Sequence, residues 1–144
     1  MNAMTRGLSR LQATVLGIGR IAIGFMFWVH GAQKLFGWFG GFGADGGTVE
    51  LLSRFGAAGV IEFTCGLLIM VGLFTTQAAF VASGEMAVAY FWMHVPRGSL
   101  FHWVNRGEMV ALYSFFFLLL VVLGAGAFSL DGIRGRRAAE PPPD

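Results

Sequence analysis

Side chains that exchange protons or hold charge recur at set places inside otherwise apolar sequence. His30 and Lys34 stand four residues apart near the end of one apolar run; Glu62 lies inside a second, Glu85 inside a third, and Glu108 opens a fourth. An imidazole beside a carboxylate can pass protons near neutral pH, and a lysine beside them fixes positive charge where negative charge develops. Ionisable groups in apolar spans are costly, so they normally face a bundle interior or a wet cavity and mark a functional site. At about 100° per residue, Arg20, His30 and Lys34 fall within an arc of roughly 80° and share one helix face. Arg20 and Glu85 each sit near the middle of an apolar run, a placement that predicts a pair close to the midplane, securing helix packing.

Four apolar runs must position these groups, at about 11–36, 57–74, 77–95 and 107–128. Each approaches the roughly 20 residues that cross a bilayer. Only 12% of the 144 residues are charged and mean hydropathy is +0.67, too few charges to cover a water-soluble domain of this size. The reading is an all-α membrane protein, a four-transmembrane-helix bundle. The link "TTQ" at 75–77 forces a tight helical hairpin. Gly17, Gly24 and Gly31 repeat every seven residues, a small-residue seam for close helix approach.

Both remaining connections are rich in aromatics. The stretch "GWFGGFGADGG" at 37–47 has too much glycine for a helix, and it reads as a loop lying on the membrane surface or folding back over the bundle mouth as a lid. In "MHVPRGSLFHWVNRGE" at 93–108, Pro96 ends one helix and Asn105 can cap the next. The outer half therefore collects His30, His94, His102, Lys34, Glu62, Glu108, Arg97 and Arg106, ringed by Trp28, Trp38, Trp92 and Trp103. Aromatics so placed can sandwich a quinoid ring, or form the interfacial belt common to membrane proteins. Candidate catalytic residues are His30, Lys34, Glu62 and Glu108; candidate substrate or quinone contacts are Arg20, Glu85, Trp38, Trp92, Asn105 and Arg106.

Other chemistries find little footing. Cys65 is the single cysteine, so the chain makes no dithiol relay by itself. There is no metal-ligand spacing, no dinucleotide fingerprint and no basic nucleic-acid footprint. A haem held by His30 with His94 or His102 is a weaker fit than a quinone, since only His30 is well placed on a span. The first run carries Arg20 and no clear cleavage site, and it reads as a retained span rather than a signal peptide. With four spans the termini share a side. Arg6, Arg10, Arg134, Arg136 and Arg137 flank the ends, against Arg54, Arg97 and Arg106 opposite, which places both termini in the cytoplasm. The tail after residue 131 reads as disordered.

Taken together, "RIAIGFMFWVHGAQKLFGWFGGFG" (20–43), "EFTCGLLIMVGLFT" (62–75) and "NRGEMVALYSFFFLLLVVLGAGAFSLD" (105–131) resemble the DoxX family of small four-span membrane proteins. The likeness runs from about residue 11 to 131, and residues 1–131 are expected to form one domain with 132–144 as a cytoplasmic tail. The resemblance implies a multi-pass protein of a bacterial-type inner membrane with a tie to redox chemistry. One branch of the family includes a subunit of thiosulfate:quinone oxidoreductase, and another member works in a membrane complex with superoxide dismutase and a sulfurtransferase. Arg20, His30, Lys34, Glu62, Asn105 and Glu108 match its recurring polar pattern. Two functions compete: quinone-linked oxidation of a sulfur compound at an outer-leaflet pocket, and a non-catalytic subunit that assembles a larger respiratory or redox complex. Either implies the lipid bilayer and membrane or peripheral redox subunits as partners. Transport of a small solute along the buried charges is also open.

Overall fold

A computed structural model describes residues 3–139 of the chain. Among them the fold is built from helices: α1 (Ala3–Phe36), α2 (Arg54–Val71), α3 (Thr75–Ala89), α4 (His102–Asn105), α5 (Glu108–Leu123) and α6 (Leu130–Ala139). Beyond Ala89 the chain keeps winding as a wider π-type turn, Tyr90–His94, and a tight turn, Val95–Arg97. α1 and α2 are long and apolar enough to cross a membrane, and α5 is a shorter apolar helix. The run expected at 77–95 is thus divided between α3 and the π turn. The segment after 131, expected to be disordered, continues as α6 to Ala139, and residues 140–144 lie outside the described residues.

Three packing contacts make the bundle: α1 on α2, α2 on α3 and α3 on α5. The α1–α2 contact is backbone against backbone. A Cβ on Gly24 would stand 2.7 Å from the Met70 nitrogen, and one on Gly31 would overlap the Phe63 nitrogen. Gly66 answers from α2, where a Cβ would press on Trp28. Across α3 and α5 the serines lace the helices reciprocally: Ser83 Oγ donates to the Ser114 carbonyl at 2.9 Å, and Ser114 Oγ to the Ser83 carbonyl at 3.1 Å. Phe27, Ile69, Ala82, Phe117 and Leu120 fill the space between, with the Phe27 and Phe117 rings edge to face at 4.7 Å.

The α2–α3 hairpin turns on Gly72, at φ 71°, and Phe74, at φ 49°. At this hairpin end the structure corrects the expected midplane pair. Arg20 is wholly buried, and its guanidinium faces five carbonyls rather than Glu85. Nη1 donates to Ile69 and Met70, both at 2.6 Å. Nε donates to Ala125 at 2.7 Å, and Nη2 to Ala127 at 3.2 Å and Phe128 at 2.8 Å. The last carbonyls of a helix have no partners within it and carry its negative end, so α2 supplies a natural seat for a cation. At 1.5 Å per residue Arg20 lies about 21 Å along α1 from Lys34, at the opposite end of the bundle.

Candidate functional site

The last turn of α1 crosses α2 at Gly59, where an added Cβ would stand 3.1 Å from Lys34 Cβ. That close approach lets the lysine reach down to Glu62. Nζ donates to Oε1 at 2.6 Å and also to Oε2, and both side chains are nearly excluded from solvent. α3 runs antiparallel to α2. Glu62 lies nine residues before the end of α2 and Glu85 ten after the start of α3, which puts both about 14–15 Å above the hairpin. Glu85 interacts electrostatically with Glu62 and Lys34, and its buried Oε2 has no hydrogen-bond partner.

The three groups open on a cavity of about 640 Å³ between α2 and α3. Its walls are largely apolar, with Phe55, Ile61, Phe80, Met86 and Val88 among them. Phe42 comes in from the loop 37–53, its ring 5.4 Å from that of Phe55 and its centre 5.5 Å from Lys34 Nζ. The loop is ordered by its own backbone. Val49 N donates to the Lys34 carbonyl at 2.9 Å, and Phe42 N to that of Gly47 at 2.8 Å. Gly41, at φ 70°, has no room for a Cβ beside the Gly46 carbonyl. Arg54, Trp92, His94 and Arg97 complete the lining. His94 stacks on Tyr90, and its Nδ1 lies 3.2 Å from the Asn105 carbonyl.

The structure gathers Lys34, Glu62, Glu85 and Trp92 at this cavity and leaves the other candidates elsewhere. His30 is half-buried against Tyr113, ring centres 6.1 Å apart, and does not line the cavity. Glu108 is 65% exposed and lies 3.7 Å from His102, far from the convergence expected of it. Helix α5 begins at this glutamate on the surface, so its carboxylate points to solvent at the first turn. Asn105 is buried, but as an organiser of its loop: Nδ2 donates to the Ser99 carbonyl at 3.0 Å, and Oδ1 accepts from Gly107 N at 2.7 Å. Arg106 is exposed at a left-handed turn, φ 58°. Trp38 packs on Phe36 and Trp28 instead of the cavity. Arg20 is at the other end.

Sequence reasoning missed Arg54, Phe55 and Tyr113 as neighbours of the site. Arg54 and Phe55 open α2 two turns before Glu62, on the same helix face, and that spacing was a usable signal. Tyr113 was hidden among the apolar residues of α5. Chemically, the cavity offers a buried ion pair, one acid oxygen with unused bonding capacity and apolar walls. Such a site suits a hydrophobic molecule bearing a few polar atoms.

Comparison with known proteins adds a family and a relative. The DoxX family model matches residues 15–95. An uncharacterized protein of Haemophilus influenzae is 43% identical over 130 residues, covering 86% of this chain and 93% of the relative. No solved structure matches the chain.

Proposed function

Because the chain belongs to the DoxX family, we propose that it is a multi-pass membrane subunit of a redox system and that its cavity binds a quinone. In this reading all four long segments cross the bilayer, α3 with the help of the π turn. The Arg6, Arg10, Arg134 and Arg136 end faces the cytoplasm of a bacterial-type inner membrane, and the cavity opens toward the outer leaflet. One observation carries the ligand class: the Lys34–Glu62 pair and the unpartnered Glu85 oxygen share the wall of an otherwise apolar cavity. Phe42, Phe55 and Trp92 offer rings for a flat head group. Phe80, Val81 and Val88, exposed on the bundle surface, offer a path for an apolar tail.

A bound quinone would supply two-electron chemistry, with a reduced sulfur compound or a partner subunit as the electron source. The chain itself positions and protonates. Lys34 is held by Glu62 so that its ammonium stays in the cavity wall, a donor toward a carbonyl oxygen. Glu85 presents its unpartnered Oε2 on the α3 side, a carboxylate oxygen placed to exchange a proton with the head group. Phe42 covers the ammonium and keeps water from it.

The test is saturable quenching of tryptophan fluorescence by a short-chain quinone in the purified, detergent-solubilised protein. Binding should weaken roughly tenfold in Glu85→Gln and more in Lys34→Met, as expected when hydrogen bonds to charged groups are lost. Equal affinity in the wild type and both variants would remove the quinone from the cavity. A second reading, an assembly subunit without catalysis, is favoured by Arg20, a buried charge used wholly in architecture. It predicts co-purification with larger redox subunits that survives Glu85→Gln.

A further inference from the structure

At the end of the bundle opposite the cavity, the chain leaves α5 through Gly124 at φ 78°, Gly126 at φ 66° and Phe128 at φ 56°. The turn is fixed from three sides. Arg20 holds three of its carbonyls, Ala127 N donates to the Ala13 carbonyl at 2.8 Å, and Asp131 N donates to that of Gly72 at 2.8 Å. Asp131 then locks the start of α6 to the start of α3. Its two oxygens accept from Phe74 N at 3.0 Å and Thr75 N at 2.9 Å.

With Asp131 turned to the bundle, the rest of α6 has a defined outward side. At 100° per residue Arg136, Ile133, Leu130 and Arg134 span about 160° of the helix, the two apolar residues flanked by the two arginines. Leu130, Ile133, Arg134 and Arg136 are all exposed, as is Phe128 just before them. Arg134 rests its guanidinium 5.2 Å from the Phe74 ring centre. Arg136 lines a cavity of about 610 Å³ walled by Val71, residues 126–130, Gly132 and Ile133. Asp131 is the single acid among the described residues of this segment, and both of its oxygens are engaged.

We propose that this surface binds the head group of an anionic phospholipid, with Arg134 and Arg136 on the phosphate and Phe128, Leu130 and Ile133 entering the acyl layer. Charge complementarity selects this occupant. Two arginines beside apolar side chains, with Asp131 as the one acid near them and its oxygens engaged by Phe74 and Thr75, stand at the end where α1 also presents Arg6 and Arg10 and match a negatively charged bilayer surface. Guanidinium groups suit phosphate oxygens because their donors are fixed in a plane.

The full-length protein in mild detergent is titrated with phosphatidylglycerol, phosphatidylcholine or inorganic phosphate, following thermal unfolding and counting retained lipids by native mass spectrometry. Phosphatidylglycerol should raise the unfolding temperature and stay bound, while the other two should not. Arg134→Gln with Arg136→Gln should weaken that binding roughly fivefold per arginine. Arg54→Gln with Arg97→Gln, at the other end, should leave it intact. Equal retention of phosphatidylcholine, an equal response to inorganic phosphate, or unchanged binding in a helical, folded double variant would overturn the proposal. The wild-type chain gives the first two readouts, so a variant that fails to fold does not shelter the idea.

Discussion

Arg20→Met should cripple stability while sparing the cavity. Methionine keeps the aliphatic length of the side chain and removes every donor, leaving five carbonyls without their partner. At about 0.6 kcal/mol per hydrogen bond, the average measured between membrane helices, the loss is about 3 kcal/mol. Counted instead as one partner removed from a buried, hydrogen-bonded charge, it reaches about 5 kcal/mol. Both figures are a large part of the roughly 5–15 kcal/mol by which domains are stable. Arg20→Lys should fall between wild type and methionine, since one ammonium has three donors and cannot span acceptors on α2 and on the 125–128 turn together. The assay is reversible unfolding in mixed micelles, run beside quinone quenching on the fraction still folded. Stability within about 1 kcal/mol of wild type in Arg20→Met would refute this account of the hairpin end. So would a folded Arg20→Met protein whose quinone affinity falls as far as that of Lys34→Met, because it would place Arg20 in the site.

The ion pair makes a contrasting prediction: Lys34→Met alone should destabilise by about 3–5 kcal/mol, whereas Lys34→Met with Glu62→Leu should recover most of it. Quinone binding should stay lost in the double variant, which separates folding from function. Gly31→Val forces a branched side chain onto the Phe63 backbone and should cost at least the roughly 1–3 kcal/mol of ordinary overpacking, read as loss of folded protein in the same micelles. Burial pushes the Asp131 carboxyl up, but the N–H groups of Thr75 and Phe74 and the nearby Arg134 charge outweigh it and hold the group below its ordinary value. Its contribution is therefore present above the unfolded value of about 3.9 and is lost as pH falls through the lower, folded value. Asp131→Asn should flatten that acid limb and cost about 0.5–2 kcal/mol at neutral pH, measured by unfolding across pH.

What could be read from the chain followed from periodicity and burial cost. The glycine seam, a tight hairpin (expected at 75–77 and formed at Gly72–Phe74, with Thr75 opening α3) and the meeting of Lys34 with Glu62 all lie along single helices or adjacent ones, where residue counting gives face and depth. Glu108 and Arg106 defeated it because their place depends on where the 98–107 loop lets α5 begin. Arg20 defeated it for another reason. Counting from the ends of the apolar run put it mid-membrane, but α1 packs on α2 only from about Gly24 to Leu35, and α2 ends at Val71 beside Arg20, so the run extends well past the helix it packs on. The aromatic loop showed its composition but not its register, which the backbone bonds from Val49 to Lys34 and from Phe42 to Gly47 set, with Phe42 rather than Trp38 at the cavity.

The Arg20 seat also sets an order of events during synthesis. This arginine leaves the ribosome 108 residues ahead of Phe128, its most distant acceptor. Until that stretch arrives, a positive charge in the first helix has at best the two carbonyls at the end of α2. A chain truncated after α5 would carry that charge with three of its five acceptors missing.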